Sequence, residues 1–286
     1  METAASSDNP TPDTKREDSG SPSASDSVAS KEVASGTTSP SVDAGTLVGI
    51  QTPSIVLFAT ALLLSLILFF AVPPIINASR FPLPDDVLGL IGRPGLKPEE
   101  SEKLAAAVKS SLAVPPRTFF PISAAILVSL FALVEGLYWK KAGVILWSLI
   151  VGPMIGVGMG FAIAELTMYF YFASGSSANP DLTEALAMQS ISLGLLGSGA
   201  GLAIGLTARN LLTALIGCAS GILSGLVASC LFVIGTSLLF PTQDVFYPIP
   251  GPRLESIADT GTIALWAIAL PLCLGIALGA ARKKTK

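Results

Sequence analysis

The side chains that could do chemistry inside the apolar part of this 286-residue chain reduce to two carboxylates, Glu135 and Glu165. Each falls within or beside a long apolar run, and a carboxylate held in a bilayer is costly enough that it often marks an ion path or a proton relay. Glu135 precedes Lys140 and Lys141 by a few residues, which predicts an interfacial residue paired with them. Glu165 is followed by more apolar sequence through Tyr169, Phe170, Tyr171 and Phe172, and its meaning depends on depth. Counted from Ala142 at the helical rise, it lies roughly 35 Å along. That depth makes it an anchor at the far interface, with the aromatic residues as a belt. A tilted or outward-shifted helix would instead bring it into the bundle beside Thr167 as an ion-binding group.

Other chemistry finds no machinery in the sequence. Histidine is absent, which removes the usual ligand of zinc, copper and haem and the usual general base. The clusters GVGMG at 156–160 and GSGAG at 197–201 superficially match phosphate loops, but no strand precedes them and no Walker lysine follows. There is no HExxH motif, and no aspartate falls within a span to build a paired-aspartate site. The expectation is a chain without catalytic residue, metal or cofactor, and not an enzyme. Cys218, Cys230 and Cys273 lie in apolar segments, where free cysteine behaves as a small packing residue.

The elements that would position Glu135 and Glu165 are membrane helices. Hydrophobic residues make up 51% of the chain and charged residues 13%, too apolar and too sparsely charged for a soluble domain of this length. Apolar runs at about 54–72, 119–138, 142–172, 188–207, 211–240 and 262–281 predict an all-α polytopic membrane protein with six transmembrane helices. Pro73 and Pro74 are expected to end the first. Residues 73–118 form an external loop with two small amphipathic helices, the second opening at Pro98 with Glu99, Glu100 and Glu102 in its first turns. Residues 1–50 are rich in Ser, Thr, Asp and Pro and predict a disordered acidic tail ahead of a membrane domain at 51–286.

Glycine dominates the pattern within those helices. Gly197, Gly201 and Gly205 recur at every fourth position, as do Gly217, Gly221 and Gly225 after a short joint at Arg209 and Asn210. Four residues is close to one turn, so each triplet lines one helix face. A bare face lets two backbones approach closely in lipid, where the hydrophobic effect cannot drive association. Gly152, Gly156 and Gly160 repeat the spacing, and GLAIGLTARN from Gly201 is matched by GIALGAARKK from Gly275, which brings in Gly279. Placing Gly152, Gly156 and Gly160 on Gly217, Gly221 and Gly225 predicts a tandem repeat of long helix, outer loop, short helix and basic stop.

Lys140, Lys141 and Arg209 in the short joints, with Arg282, Lys283, Lys284 and Lys286 at the end, put both termini in the cytoplasm of a plasma or inner membrane. The Lys and Arg residues of the 73–118 loop argue the other way, but the short joints agree with one another. The functional expectation is a structural or interaction component of the membrane, with lipid as its partner and glycine seams open to self-association. The alternative is a small transporter or channel using Glu165. Nothing in the sequence points to nucleic acid or to a small-molecule substrate.

Overall fold

The computed structural model describes residues 52–79, 84–91, 93, 95–173, 182–241, 247–250 and 257–284. The predicted tail at 1–50 lies outside the described residues. Among the described residues seven helices follow in order: α1 (Ser54–Ser79), α2 (Asp85–Leu88), α3 (Pro98–Tyr138), α4 (Ala142–Ala173), α5 (Leu182–Thr207), α6 (Leu211–Leu239) and α7 (Ile257–Lys284). All except α2 are long and apolar enough to cross a membrane, so the chain is an all-α, multi-pass membrane protein.

Each helix packs on the next from α3 to α7, and α1 closes the ring by packing on both α7 and α3. Helices α3 and α5 also touch across the middle. Burial follows from that arrangement: 72% of the apolar window of α5 is inside, against 28% for α4. Along α1, Leu57, Ala61, Leu64, Leu68, Val72 and Ile76 form the buried stripe, while Ile55, Leu62, Leu66 and Phe70 face outward. An apolar residue facing outward on such a helix meets lipid, so hydrophobicity alone does not distinguish the core.

Two expected boundaries move, and in both the helix runs on through proline. Helix α1 continues through Pro73 and Pro74 to Ser79 instead of stopping before them. Helix α3 joins the predicted second amphipathic helix to the second span as one element of 41 residues, passing Pro115, Pro116 and Pro121. A proline inside a helix frees the carbonyl four residues before it, and in a membrane bundle a neighbour can take up the freed group. Pro116 frees the carbonyl of Leu112, which accepts a hydrogen bond from the Tyr247 hydroxyl at 3.0 Å. Of the predicted external loop, α2 stays separate.

Two hairpins carry the most extensive packing, α3 with α4 and α5 with α6. Both turn on a basic residue in the left-handed backbone region, Lys140 at φ 52° and Arg209 at φ 54°. At the second joint Arg209 N–H donates to Leu206 O and Asn210 N–H to Gly205 O, a Schellman closure. Asn210 then caps α6 by accepting from Thr213 N–H at 3.2 Å. The first joint repeats the inner bond, Lys140 N–H to Leu137 O. The joints lie side by side: Trp147 Nε1 donates to Leu206 O at 3.2 Å, and the Arg209 guanidinium sits 5.9 Å from the Trp147 ring centre.

Candidate functional site

The glycine seams fill the space between helices of one chain. A methyl group on Gly201 would overlap Gly217 O, one on Gly221 would overlap Gly197 O, and one on Gly205 would overlap Ala214. Helices α5 and α6 therefore touch backbone to backbone, with glycine on both sides. The α4 seam turns back onto α3: a methyl on Gly152 would stand 2.8 Å from Ser129 Cα, one on Gly156 2.6 Å from Ala125 Cα, and one on Gly160 2.6 Å from Phe120 O. Gly275 meets Ala61 and Leu57, and Gly279 meets Ser54, whose hydroxyl donates to Gly279 O at 3.0 Å. These glycines are buried and already occupied, so the expected seams open to self-association are not presented at these positions.

The register of the two hairpins differs by one helical turn from the sequence alignment. Pairing Lys140 with Arg209 superposes Gly136 on Gly205, Gly152 on Gly221 and Gly156 on Gly225. Gly156 then faces Ala124 and Ala125 where Gly225 faces Leu193 and Gly194, and those partners superpose in the same register. One turn further out, the Gly160 contact with Pro121 corresponds to the hydrogen bond between Ser229 and Ser190 at 2.7 Å. The joints set this register, and glycine spacing alone cannot tell one turn from the next.

Glu165 does not face the bundle. Its carboxylate accepts two bonds from Arg117 of α3, from Nε at 2.7 Å and Nη2 at 3.0 Å, and both side chains are more than half exposed. The fork of a guanidinium matches a carboxylate in this two-bond geometry. Thr167 lies two residues on, across the helix, and is buried with its hydroxyl donating to Ile163 O at 2.7 Å. The two residues are not brought together. Arg117 lies roughly 32 Å along α3 from Tyr138, close to the distance of Glu165 along α4 from Ala142.

A cleft of about 630 Å³ opens at the pair, between α3 and the last turns of α4. Lys109, Arg117, Glu165, Met168, Tyr169 and Phe172 line it, with small Ala106 and Ala113 at the wall. Lys109 Nζ stands 5.0 Å from the Phe172 ring centre. Beyond the pair Tyr171 packs edge-on against Tyr247, ring centres 5.6 Å apart, and Tyr247 O accepts from Gln189 Nε2 at 3.3 Å. That segment fastens the far end of α3 to α4 and α5.

Glu135 lies one turn before the first joint, on the bundle side of α3. Lys140 and Lys141 are exposed, whereas Glu135 is fully buried and accepts from the Thr52 hydroxyl at 2.5 Å, from Thr52 N–H at 3.3 Å and from Trp139 Nε1 at 3.0 Å. Trp139 is the helical neighbour four residues on, so that contact was readable from spacing. Thr52, ahead of α1, carried no signal of it. Away from the spans, Lys103 of α3 donates to Asp86 of α2, and that hydrogen bond holds the Asp86 carboxyl below its ordinary value. Cys230 faces outward on α6, while Cys218 and Cys273 are half-buried, and none is paired. Among the described residues no three His, Cys, Asp or Glu side chains converge as a metal site would need.

No protein-family model, curated protein or solved structure matches the chain.

Proposed function

We propose that this chain is a non-enzymatic structural or interaction component of a plasma or inner membrane, with both termini on the cytoplasmic side. The observation that carries the reading is the closure of the bundle. Backbone lies against backbone along α4 on α3 and along α5 on α6, and packing of that kind resists the sliding a gate needs. Both carboxylates serve the same end, Glu135 by holding the segment before α1 and Glu165 by bridging α4 to α3. The orientation rests on the basic short joints. The shared register of the two hairpins supports an internal repeat whose unit is helix, basic joint, helix, one helix out of frame with the repeat suggested by the sequence.

The test is ion flux through the full chain reconstituted in sealed vesicles. This reading expects no sodium, potassium or proton flux above protein-free vesicles. A flux abolished by Glu165→Gln would overturn it in favour of a small transporter or channel.

A further inference from the structure

We infer that the cleft between α3 and α4 at Arg117 and Glu165 binds the anionic headgroup of a membrane phospholipid. The inference rests on the chain being a multi-pass membrane protein and is independent of the structural role proposed for the bundle.

Among the described residues, the charge lining the cleft is unbalanced. Lys109 and Arg117 bring two cations against the single carboxylate of Glu165. Glu165 takes Nε and Nη2 of Arg117, and Arg117 Nη1 donates to no group among the described residues. Lys109 lies over the Phe172 ring and forms no ion pair with any described residue. An ammonium over an aromatic face and a guanidinium edge in one cleft form an anion site of the kind a lipid phosphate fits.

Depth and lining select a lipid over a soluble anion. The cleft stands at the end of the bundle opposite Lys140 and Arg209, at the level where a 30 Å hydrocarbon layer gives way to headgroups. Tyr169 and Phe170 mark the same level from α4, exposed by 68% and 42%, as interfacial aromatics do. Toward the joints from the pair, Ile122 of α3 and Phe161 of α4 are exposed by 40% and 50%, so both helices that form the cleft offer apolar surface at the level of acyl chains.

The experiment compares lipid retention by the full chain in nanodiscs of equal phosphatidylglycerol and phosphatidylcholine, read by native mass spectrometry after release into detergent. The wild-type chain should keep phosphatidylglycerol preferentially. Lys109→Ala should lower that preference about fivefold, as loss of one cation near a membrane surface implies, and Lys109→Glu should lower it further. Lys97→Glu, a charge reversal outside the cleft, should leave it unchanged, and millimolar glycerol phosphate should not displace the lipid. Equal retention by the wild type and Lys109→Glu would overturn the site. An equal loss in Lys97→Glu would do the same by showing diffuse attraction. Displacement by glycerol phosphate would overturn the lipid assignment in favour of a free phosphate ester.

Discussion

The α3–α4 and α5–α6 hairpins turn on equivalent joints and share a register, yet they are furnished differently. In α5–α6 glycines meet across the seam from both helices, and the only charged residues of the pair and its joint are Glu184 and Arg209. In α3–α4 no glycine meets a glycine: Gly152, Gly156 and Gly160 of α4 rest on Ser129, Ala125 and Pro121, and Gly136 of α3 rests on Ser148 and Ile145. That hairpin holds Glu135, Lys109 and the Arg117–Glu165 pair. The contrast separates two jobs. Glycine on glycine brings the backbones closest and leaves little room for side chains between them; glycine on a larger residue holds the helices firmly while keeping the side chains that polar contacts need.

The largest effect expected from breaking that contrast is at Gly201. Gly201→Ala places a methyl into the Gly217 backbone, which cannot rotate away, so α5 and α6 must separate along the whole seam. A loss of about 3 kcal/mol or more is expected, read as a fall in the thermal unfolding midpoint in detergent. Gly156→Ala meets Ala125 Cα at 2.6 Å and Ala124 O at 2.7 Å, a looser approach than that of a Gly201 methyl to Gly217 O. The expected loss is about 2 kcal/mol. Gly158→Ala, two positions on and facing open space, should lose nothing. Equal losses at Gly201 and Gly156 would erase the distinction between the hairpins.

Tyr247→Phe sharpens the comparison from the polar side. It removes the hydroxyl that satisfies Leu112 O beside Pro116, with a loss of about 1 kcal/mol and faster amide exchange in α3 around that turn. The smallest effect belongs to Asp86. Because Lys103 holds its carboxyl below the ordinary value, the contribution is complete above the ordinary carboxylate range and is lost as pH falls through the depressed one. Both groups are more than half exposed, so acid should loosen α2 from α3, seen as increased amide exchange at Val87 and Leu88, while the bundle stays intact.

The six spans and both basic joints were legible because length, apolar runs and charge-bearing breaks are local signals. Proline misled at Pro73 and Pro74, since a membrane helix passes a proline where other groups take up the freed carbonyl, as Tyr247 does beside Pro116. Glycine spacing revealed the seams without their partners: the period is one turn, so any register slipped by one turn reads equally well until Lys140 and Arg209 align it. The ends of long-range polar contacts stayed hidden for the same reason. Nothing near Glu165 in sequence names Arg117, and nothing near Glu135 names Thr52, although Trp139 does stand at the right spacing.

The most direct test of a closed bundle is the accessibility of position 165. A single Glu165→Cys substitution, in a chain whose Cys218, Cys230 and Cys273 are replaced by alanine, is exposed to membrane-impermeant thiol reagents from each side of sealed vesicles of known orientation. The account predicts labelling only from the side opposite the Lys140 and Arg209 joints. Labelling from the joint side, or from both, would contradict it by showing a water-filled route through the seams.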